Sequence, residues 1–233
     1  MRPPEAVVFD CDGVLVDSER LSNQIFAQVI TEEGLPTTFD DAVRLYLGRS
    51  TVECTADIEA ALGRPLRTDV VGEYERRTFA AFRRELAAMP GIVELLDALV
   101  AAGVTRCVAS SGTPEEIALR LELTSLTHYF DGRIYSAAMV PRGKPEPDLF
   151  EYAAAQLGTD PADCVLIEDS PAGVRGGKAA GMTVVGYASL LPPERLADAG
   201  ADLVVTDIAD AWSVLGVVNR GQESQRPNPT PAP

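Results

Sequence analysis

Histidine is almost absent from this chain of 233 residues, which contains only one, His128. Because catalytic triads and many metal centres are built around imidazole, a histidine-based triad or metal site is not expected. His128 stands beside Tyr129 and Phe130 in a segment with loop character, and we interpret it as structural. The chemistry of this protein must therefore be carried by other side chains.

Cysteine is also scarce, and its four copies are widely separated: Cys11, Cys54, Cys107 and Cys164. No pair has the C-x-x-C spacing of a zinc site, and no disulfide framework is indicated. The cysteines have the character of small, buried apolar side chains in a reducing compartment.

Basic residues and long apolar runs are lacking as well. The chain has 20 Lys and Arg against 35 Asp and Glu, a net charge of -15, so neither nucleic acid nor an anionic membrane is expected as a partner. No apolar run reaches the ~18 residues of a membrane span, and the first residues show no signal-peptide pattern. We expect a cytoplasmic monomer that acts on a small molecule and whose charge suits a divalent cation.

What is present is an alternation of apolar strands with amphipathic helices. Short apolar runs predict buried parallel strands at 6–9, 104–109, 132–136, 164–168, 183–187 and 202–205. Helical patterns lie between these runs, at 92–102, 114–123, 147–157, 171–180 and 193–199. The alternation predicts an α/β fold with a doubly wound parallel sheet, a Rossmann-like core.

A purely helical block interrupts this alternation after the first strand. The first of its helices is predicted to end at Gly34, and the others are predicted at 39–47, 51–62 and 69–88, with no strand among them. We therefore expect a core formed by residues 1–16 and 89–219 and an all-helical cap domain inserted at 17–88. Residues 220–233 are rich in Pro, Gln and Asn and are expected to be a disordered tail.

Two aspartates directly follow the first predicted strand. Asp10 and Asp12 are two residues apart on an extended segment, so both side chains lean to the same side while Cys11 points toward the core. Carboxylates this close repel, and one is easily kept protonated near neutral pH. Asp10 can then act as a nucleophile and Asp12 as a proton donor, with Gly13 allowing a sharp turn. The alternative for a lone D-x-D pair is a solvated turn.

A second signal follows the strand that ends at Ala109. Ser110, Ser111 and Gly112 precede a helix whose start carries a capping box, Thr113 with Glu116. Exposed amides at a helix start, with a hydroxyl beside them, form an anion site. The alternative is that the serines only cap the helix.

Two further signals would meet the aspartates at the same edge of the sheet, because ligands bind beyond the carboxyl ends of parallel strands. Lys144 lies in a turn stiffened by prolines, and Glu168 and Asp169 follow a buried strand. Four acids at one edge would require a cation, and ligation by oxygen alone favours Mg²⁺. The alternatives are an ordinary surface lysine and acids that complement a helix dipole.

These four signals, in this order, resemble those of the haloacid dehalogenase superfamily. The similarity spans about residues 5–190 and is strongest to the phosphatase and β-phosphoglucomutase-like branch with a helical cap. It implies transfer through an aspartyl-phosphate that water then hydrolyses. The implied roles are nucleophile for Asp10, acid/base for Asp12, phosphate binding for Ser110, the family's lysine for Lys144, and Mg²⁺ binding for Asp169, Glu168, Asp10 and the main-chain carbonyl of Asp12.

Positions in the cap add the expected substrate contacts. Ser18 falls where the family often has Ser or Thr, and Arg49, in the segment Gly48-Arg49-Ser50, is expected to contact the part of the substrate that is not phosphate. Resembling mutases carry a histidine on the first cap helix and an arginine after a glycine turn. The histidine position falls on Ser22 here, and the arginine position falls near Thr51, where a shifted register would restore it through Arg49.

The expected function is that of a magnesium-dependent phosphatase, a phosphoric monoester hydrolase acting on a small phosphorylated metabolite such as a sugar phosphate. A phosphohexomutase of the β-phosphoglucomutase type is the nearest alternative, because it has the same core motifs. A receiver-like signalling domain phosphorylated on aspartate is an alternative of another class. Dehalogenases of the superfamily lack the second aspartate, so Asp12 argues against dehalogenation.

Overall fold

The computed structural model of the protein describes residues 4–49 and 51–216, and within them six parallel strands form one sheet. The strands are β1 (Ala6–Phe9), β2 (Thr105–Ser110), β3 (Ile134–Ser136), β4 (Cys164–Glu168), β5 (Thr183–Tyr187) and β6 (Leu203–Val205). Their order across the sheet is β3-β2-β1-β4-β5-β6. The winding of the chain across the sheet changes direction between β1 and β4, and such a switch point leaves a crevice at the carboxyl ends of the strands.

Helices cover both faces of the sheet. Alternate residues of β1 point to opposite faces and therefore belong to two different hydrophobic clusters. The helices of the core are α5 (Ile92–Ala101), α6 (Pro114–Leu123), α7 (Asp148–Leu157), α8 (Pro171–Ala179), α9 (Pro193–Asp198) and the short α10 (Trp212–Leu215). Val7 and Phe9 pack with residues of α5 and α6, whereas Ala6 and Val8 pack with residues of α7, α8 and α9. The predicted fold class, a doubly wound parallel α/β sheet, is confirmed.

Four helices lie between β1 and α5 in the sequence, where the sequence predicts a purely helical block. They are α1 (Ser18–Glu33), α2 (Phe39–Tyr46), α3 (Thr51–Leu62) and α4 (Val70–Glu85). They have a small core of their own, built from residues such as Phe26, Ile30 and Ile58. We refer to α1–α4 as the cap helices. The exact domain boundaries at 16/17 and 88/89 stay predictions.

One predicted helix is too long. The helical pattern extends to residue 88, but α4 ends at Glu85 and Leu86 already has extended backbone angles, φ -62° and ψ 126°. Residues 87–89 instead run beside residues 15–17, and we call these two stretches the crossing segments. Their main-chain hydrogen bonds, from Asp17 N to Ala87 O and from Met89 N to Leu15 O, are both 2.9 Å long. Tertiary pairing therefore outweighs helix propensity here.

Some expectations concern residues outside the described part of the chain. These are Ser50, expected among the substrate contacts, and the tail at 220–233. Among the helices of residues 4–49 and 51–216, none has the length and apolar character to cross a membrane.

Replacing Phe130 by Ala tests the large core cluster. The Phe130 side chain is fully buried and its ring lies edge-on to Phe9, with centroids 6.1 Å apart. Because the truncation leaves a cavity, we expect the free energy of unfolding to fall by about 3–5 kcal/mol, measured by urea denaturation. Phe79→Ala is the matched control: that ring is 47% exposed on α4, so its loss should cost within about 0.5 kcal/mol. Equal losses in both variants would contradict this account.

Candidate active site

The side chains of three predicted signals meet at the carboxyl ends of the central strands. Asp10 directly follows β1, Glu168 ends β4 and Asp169 comes next, while Lys144 reaches them from the loop between β3 and α7. The Lys144 Nζ atom lies 2.6 Å from Asp10 Oδ1 and 2.7 Å from Glu168 Oε2. The Lys144 side chain is only 7% exposed. It is thus a buried ammonium that bridges two carboxylates, not an ordinary surface lysine.

The three acids form a compact group of oxygen ligands. One carboxylate oxygen from each of Asp10, Glu168 and Asp169 lies within 4.8 Å of the others. Burial, and then the charge of Glu168, raise the pKa of Asp10 to about 6 although Lys144 opposes the shift. Burial and the charges of Asp10 and Glu168 also raise the pKa of Asp169. More negative charge is gathered than one lysine can balance, so a divalent cation with a preference for oxygen fits the group.

Burial alone would lower the pKa of Lys144. The charges of Asp10 and Glu168 outweigh it and raise the pKa above its ordinary value. The ammonium is therefore charged at neutral pH. Its position offers a fixed positive charge to an anion that approaches Asp10.

Glu168 is held in place by the start of α8. Its Oε1 atom accepts hydrogen bonds from Ser170 N at 3.1 Å and from the Ser170 hydroxyl at 2.8 Å. A Cβ atom on Gly173 would lie 2.0 Å from Oε2 of the same carboxylate, so this glycine leaves the room that Glu168 occupies. Both oxygens of Glu168 therefore have partners, Ser170 and Lys144.

Gly13 is required by the approach of Asp169. It has a φ of 74°, which disfavours any residue with a side chain, and a Cβ atom there would lie 1.9 Å from Asp169 Oδ2. The turn after Asp12 is therefore fitted to the carboxylate of Asp169. This geometry agrees with the sharp turn expected at Gly13.

Asp12 faces a different neighbourhood from Asp10. Its Oδ1 accepts a hydrogen bond of 2.5 Å from the Ser18 hydroxyl, and its Oδ2 lies 3.2 Å from Arg120 Nη1. Burial raises the pKa of Asp12 above its ordinary value, although Arg120 opposes the shift. The side chain is thus separate from the three-carboxylate group and is disposed to hold a proton more readily than an exposed aspartate.

The loop after β2 has the features of an anion site. Ser110 is buried and its hydroxyl accepts a hydrogen bond from Gly112 N at 3.2 Å, while Ser111 is exposed. The predicted capping box is confirmed: the Thr113 side chain accepts from Glu116 N, and the Glu116 side chain accepts from Thr113 N. The start of the ten-residue helix α6 therefore lies directly beside the Ser110 hydroxyl.

A large cavity lies between the cap helices and α6. Its volume is about 870 Å³, and Asp12, Ser18 and Arg49 are the expected site residues that line it. Arg49 is paired with a carboxylate, because its Nη1 lies 2.7 Å from Asp57 Oδ2. Asp12 lines this cavity and is two residues from Asp10, so it connects the cavity with the group of carboxylates.

Arg120, Glu19 and Asn23 are among the polar residues of this cavity that sequence reasoning missed. Burial, followed by the charges of Asp12 and Asp10, raises the pKa of Glu19 to about 7. The Asn23 amide donates to the Glu19 main-chain carbonyl at 2.8 Å. Glu19 directly follows Ser18, so it was within reach of motif reasoning. No local pattern indicated Arg120, which is distant in sequence from the acid it contacts.

Comparison with known proteins identifies the family. A model of the haloacid dehalogenase-like hydrolases matches residues 4–181, and the chain belongs to this family. The chain is also 31% identical over 181 residues to the 6-phosphogluconate phosphatase of Escherichia coli, covering 77% of this chain and 80% of that protein. The expectation of an enzyme, a phosphoric monoester hydrolase, is confirmed, and the receiver-like alternative is not supported.

Solved structures of the family have the same architecture. A family hydrolase from Deinococcus radiodurans, crystallised with bound phosphate and sodium, is 34% identical and superposes with a TM-score of 0.84, covering 93% of this chain and 96% of that one. A putative β-phosphoglucomutase from Thermotoga maritima is 29% identical with a TM-score of 0.75, covering 91% and 98%. The chain is thus similar both to a protein described as a hydrolase and to one described as a mutase.

Replacing Gly13 by Ala tests the fit between the turn and Asp169. The new methyl group would displace the Asp169 carboxylate, so we expect turnover of a phosphate ester to fall at least about 100-fold. Gly132→Ala is a matched control, because Gly132 has a φ of 78° but no atom within 4 Å of a Cβ placed there. The control should lose about 1–2 kcal/mol of stability and no activity. Similar activity losses in both variants would show that backbone strain, not displacement of Asp169, is responsible.

Proposed function

We propose that the chain is a magnesium-dependent phosphatase that hydrolyses a small sugar or polyol phosphate through an aspartyl-phosphate. The observation that carries this proposal is the position of Asp10 at the end of the central strand, bonded to the buried Lys144 and grouped with Asp169 and Glu168. Such a group combines a nucleophile, a cation site and a fixed ammonium.

In the first step, an Asp10 oxygen attacks phosphorus and the ester bond to the leaving alcohol breaks. Lys144 balances charge on Asp10 and on the transferred group. The Ser110 hydroxyl and the amides of Ser111 and Gly112 bind the phosphoryl oxygens. Asp10, Asp169 and the Asp12 main-chain carbonyl would hold Mg²⁺, which when bound neutralises charge on the phosphoryl oxygens.

Glu168 has a supporting part in this proposal. Its two oxygens already bond Ser170 and Lys144, so it adds negative charge to the cation site and fixes the lysine.

Asp12 would carry the proton in both steps. It donates a proton to the oxygen of the leaving alcohol, and the resulting carboxylate then takes a proton from the water that attacks the aspartyl-phosphate. The Asp10–phosphorus bond breaks, which releases phosphate and restores Asp10. The raised pKa of Asp12 and its place on the cavity wall both support this role.

The charges around the cavity favour a leaving alcohol that is neutral and rich in hydroxyls. Among the described residues that line it, each arginine already has a carboxylate partner: Arg120 has Asp12, Arg49 has Asp57 and Arg76 has Glu73. Glu19 adds a further carboxyl group. A second phosphate or a carboxylate on the substrate would therefore meet no unpaired cation among these residues.

The choice of a hydrolase over a mutase rests on the cap. The position expected to hold a mutase histidine is Ser22, which lines the cavity. Serine lacks the imidazole that could hold back the general acid Asp12 until a sugar binds. Water should therefore compete well with a sugar hydroxyl for the aspartyl-phosphate.

Asp10→Asn tests the nucleophile. The amide keeps the side-chain shape but cannot attack phosphorus, so turnover should fall about 1000-fold or more. Phosphate release measures activity, and circular dichroism with thermal unfolding confirms the fold. Asp198→Asn makes the same chemical change at an exposed position of α9 that does not line the cavity, and it provides the matched control for the preparation. A folded Asp10→Asn variant that turns over like the unmodified enzyme would disprove the assignment.

Removal of divalent cations tests the metal. Excess chelator should abolish phosphate release, and added Mg²⁺ should restore it while Ca²⁺ does not, because Mg²⁺ demands tighter octahedral geometry. Full activity in chelator would eliminate the metal from the reaction.

A substrate panel tests the leaving group and the reaction type together. We expect kcat/KM for glucitol 6-phosphate and glucose 6-phosphate to exceed that for 6-phosphogluconate and fructose 1,6-bisphosphate by about tenfold or more, since like charges in the cavity repel. β-Glucose 1-phosphate should yield free phosphate. A preference for 6-phosphogluconate or fructose 1,6-bisphosphate, which carry a second anionic group, would contradict the charge argument. Conversion of β-glucose 1-phosphate to glucose 6-phosphate without phosphate release would indicate a mutase.

A further inference from the structure

We infer that Arg120 is a positioning residue that holds the acid Asp12 on the leaving-group side of the site. This inference rests on the proposed phosphatase reaction, in which Asp12 protonates the departing alcohol. Arg120 belongs to α6 in the core, and its guanidinium lines the same cavity as Asp12.

The Asp12 carboxyl is held from two directions. The Ser18 hydroxyl bonds Oδ1 at 2.5 Å, and Arg120 Nη1 lies 3.2 Å from Oδ2. A carboxyl group can rotate about two side-chain bonds, so one partner would leave its orientation open. The two partners contact different oxygens, Ser18 through a hydrogen bond and Arg120 through its charge, and together they restrain the carboxyl group.

The Arg120 guanidinium is itself held by its surroundings. Its side chain is 16% exposed, and the guanidinium carbon lies 5.7 Å from the centre of the Phe82 ring on α4. A Cβ atom on Gly112 would lie 2.9 Å from Nη1, so the guanidinium rests against the backbone of the loop at residues 110–112, which we propose binds the phosphoryl oxygens. Arg120 therefore contacts the acid, a cap helix and this loop at once.

The contact with Asp12 is mainly electrostatic. Nη1 is buried and makes no aligned hydrogen bond to any described residue, although it is 3.2 Å from the carboxylate. Asp10 repels Asp12, and the positive charge of the Arg120 guanidinium, on the cavity side of Asp12, offsets this repulsion. When the proton moves from Asp12 to the leaving oxygen, as the ester bond breaks and the Asp10–phosphorus bond forms, Arg120 balances the carboxylate that remains.

A pair of aryl esters separates positioning of the acid from general damage to the site. Phenyl phosphate and 4-nitrophenyl phosphate have similar shapes, but phenolate is the more basic leaving group and needs a proton more. Because kcat/KM reports only steps up to release of the phenol, it is unaffected by the later hydrolysis of the aspartyl-phosphate. General acids contribute about 10²–10⁴-fold, so a mispositioned acid should be visible.

In Arg120→Met we expect kcat/KM to fall about 10- to 100-fold for phenyl phosphate and less than about threefold for 4-nitrophenyl phosphate. Arg120→Lys keeps the positive charge and should recover part of the loss. Arg133→Met removes a partly exposed arginine of the core that pairs with Asp131, and should change neither value.

A double-mutant cycle with Asp12→Asn completes the test. If Arg120 acts through Asp12, adding Arg120→Met to Asp12→Asn should cause little further loss for phenyl phosphate. Losses that multiply, or equal losses for the two esters, would overturn the inference, as would an unchanged Arg120→Met enzyme. Should the Met variant fail to fold, the ester ratio of Arg120→Lys decides in the same way. An unmodified enzyme that releases phosphate from neither ester and from none of the sugar phosphates of the substrate panel would instead refute the proposed phosphatase function.

Discussion

Mutual repulsion among buried carboxylates is the constraint on which the rest of the site depends. Asp10, Glu168 and Asp169 come within 4.8 Å of one another, and the Lys144 ammonium bonds two of them. Burial, and then the charge of Glu168, raise the pKa of Asp10 to about 6, and this shift expresses the cost of the arrangement. A bound cation would relieve this repulsion, and together with the Lys144 ammonium it would offset the negative charge of a phosphate ester that approaches Asp10.

Those parts of the site that follow strand ends were predictable from the sequence. Asp10, Ser110 and Glu168 each come at the end of a short apolar run, and parallel strands bring such ends to one edge. The alternation of strands and helices likewise predicted the sheet. The end of α4 was predicted wrongly, because residues 87–89 bond to the other crossing segment and periodicity carries no information about a distant partner.

Arg120 shows the same limit for function. Its spacing on α6 is that of an ordinary surface arginine, and only the folded chain brings it to Asp12. Glu19 was closer to prediction, since it adjoins Ser18, yet its raised pKa results from burial against acids of another segment. Residues that modify a motif through space, rather than belong to it, are the ones that sequence reading misses.

The crossing segments have a consequence for the history of the chain. The helical insertion leaves the sheet and returns to it at adjacent points, where two hydrogen bonds of 2.9 Å join the departing and returning backbone. The two ends of the insertion are therefore held together at the sheet. A change in the length or sequence of the insertion need not alter the pairing of β1 with β2. Such an attachment permits one catalytic scaffold to acquire new substrates by exchange of the inserted module, while the chemistry at the strand ends is inherited unchanged.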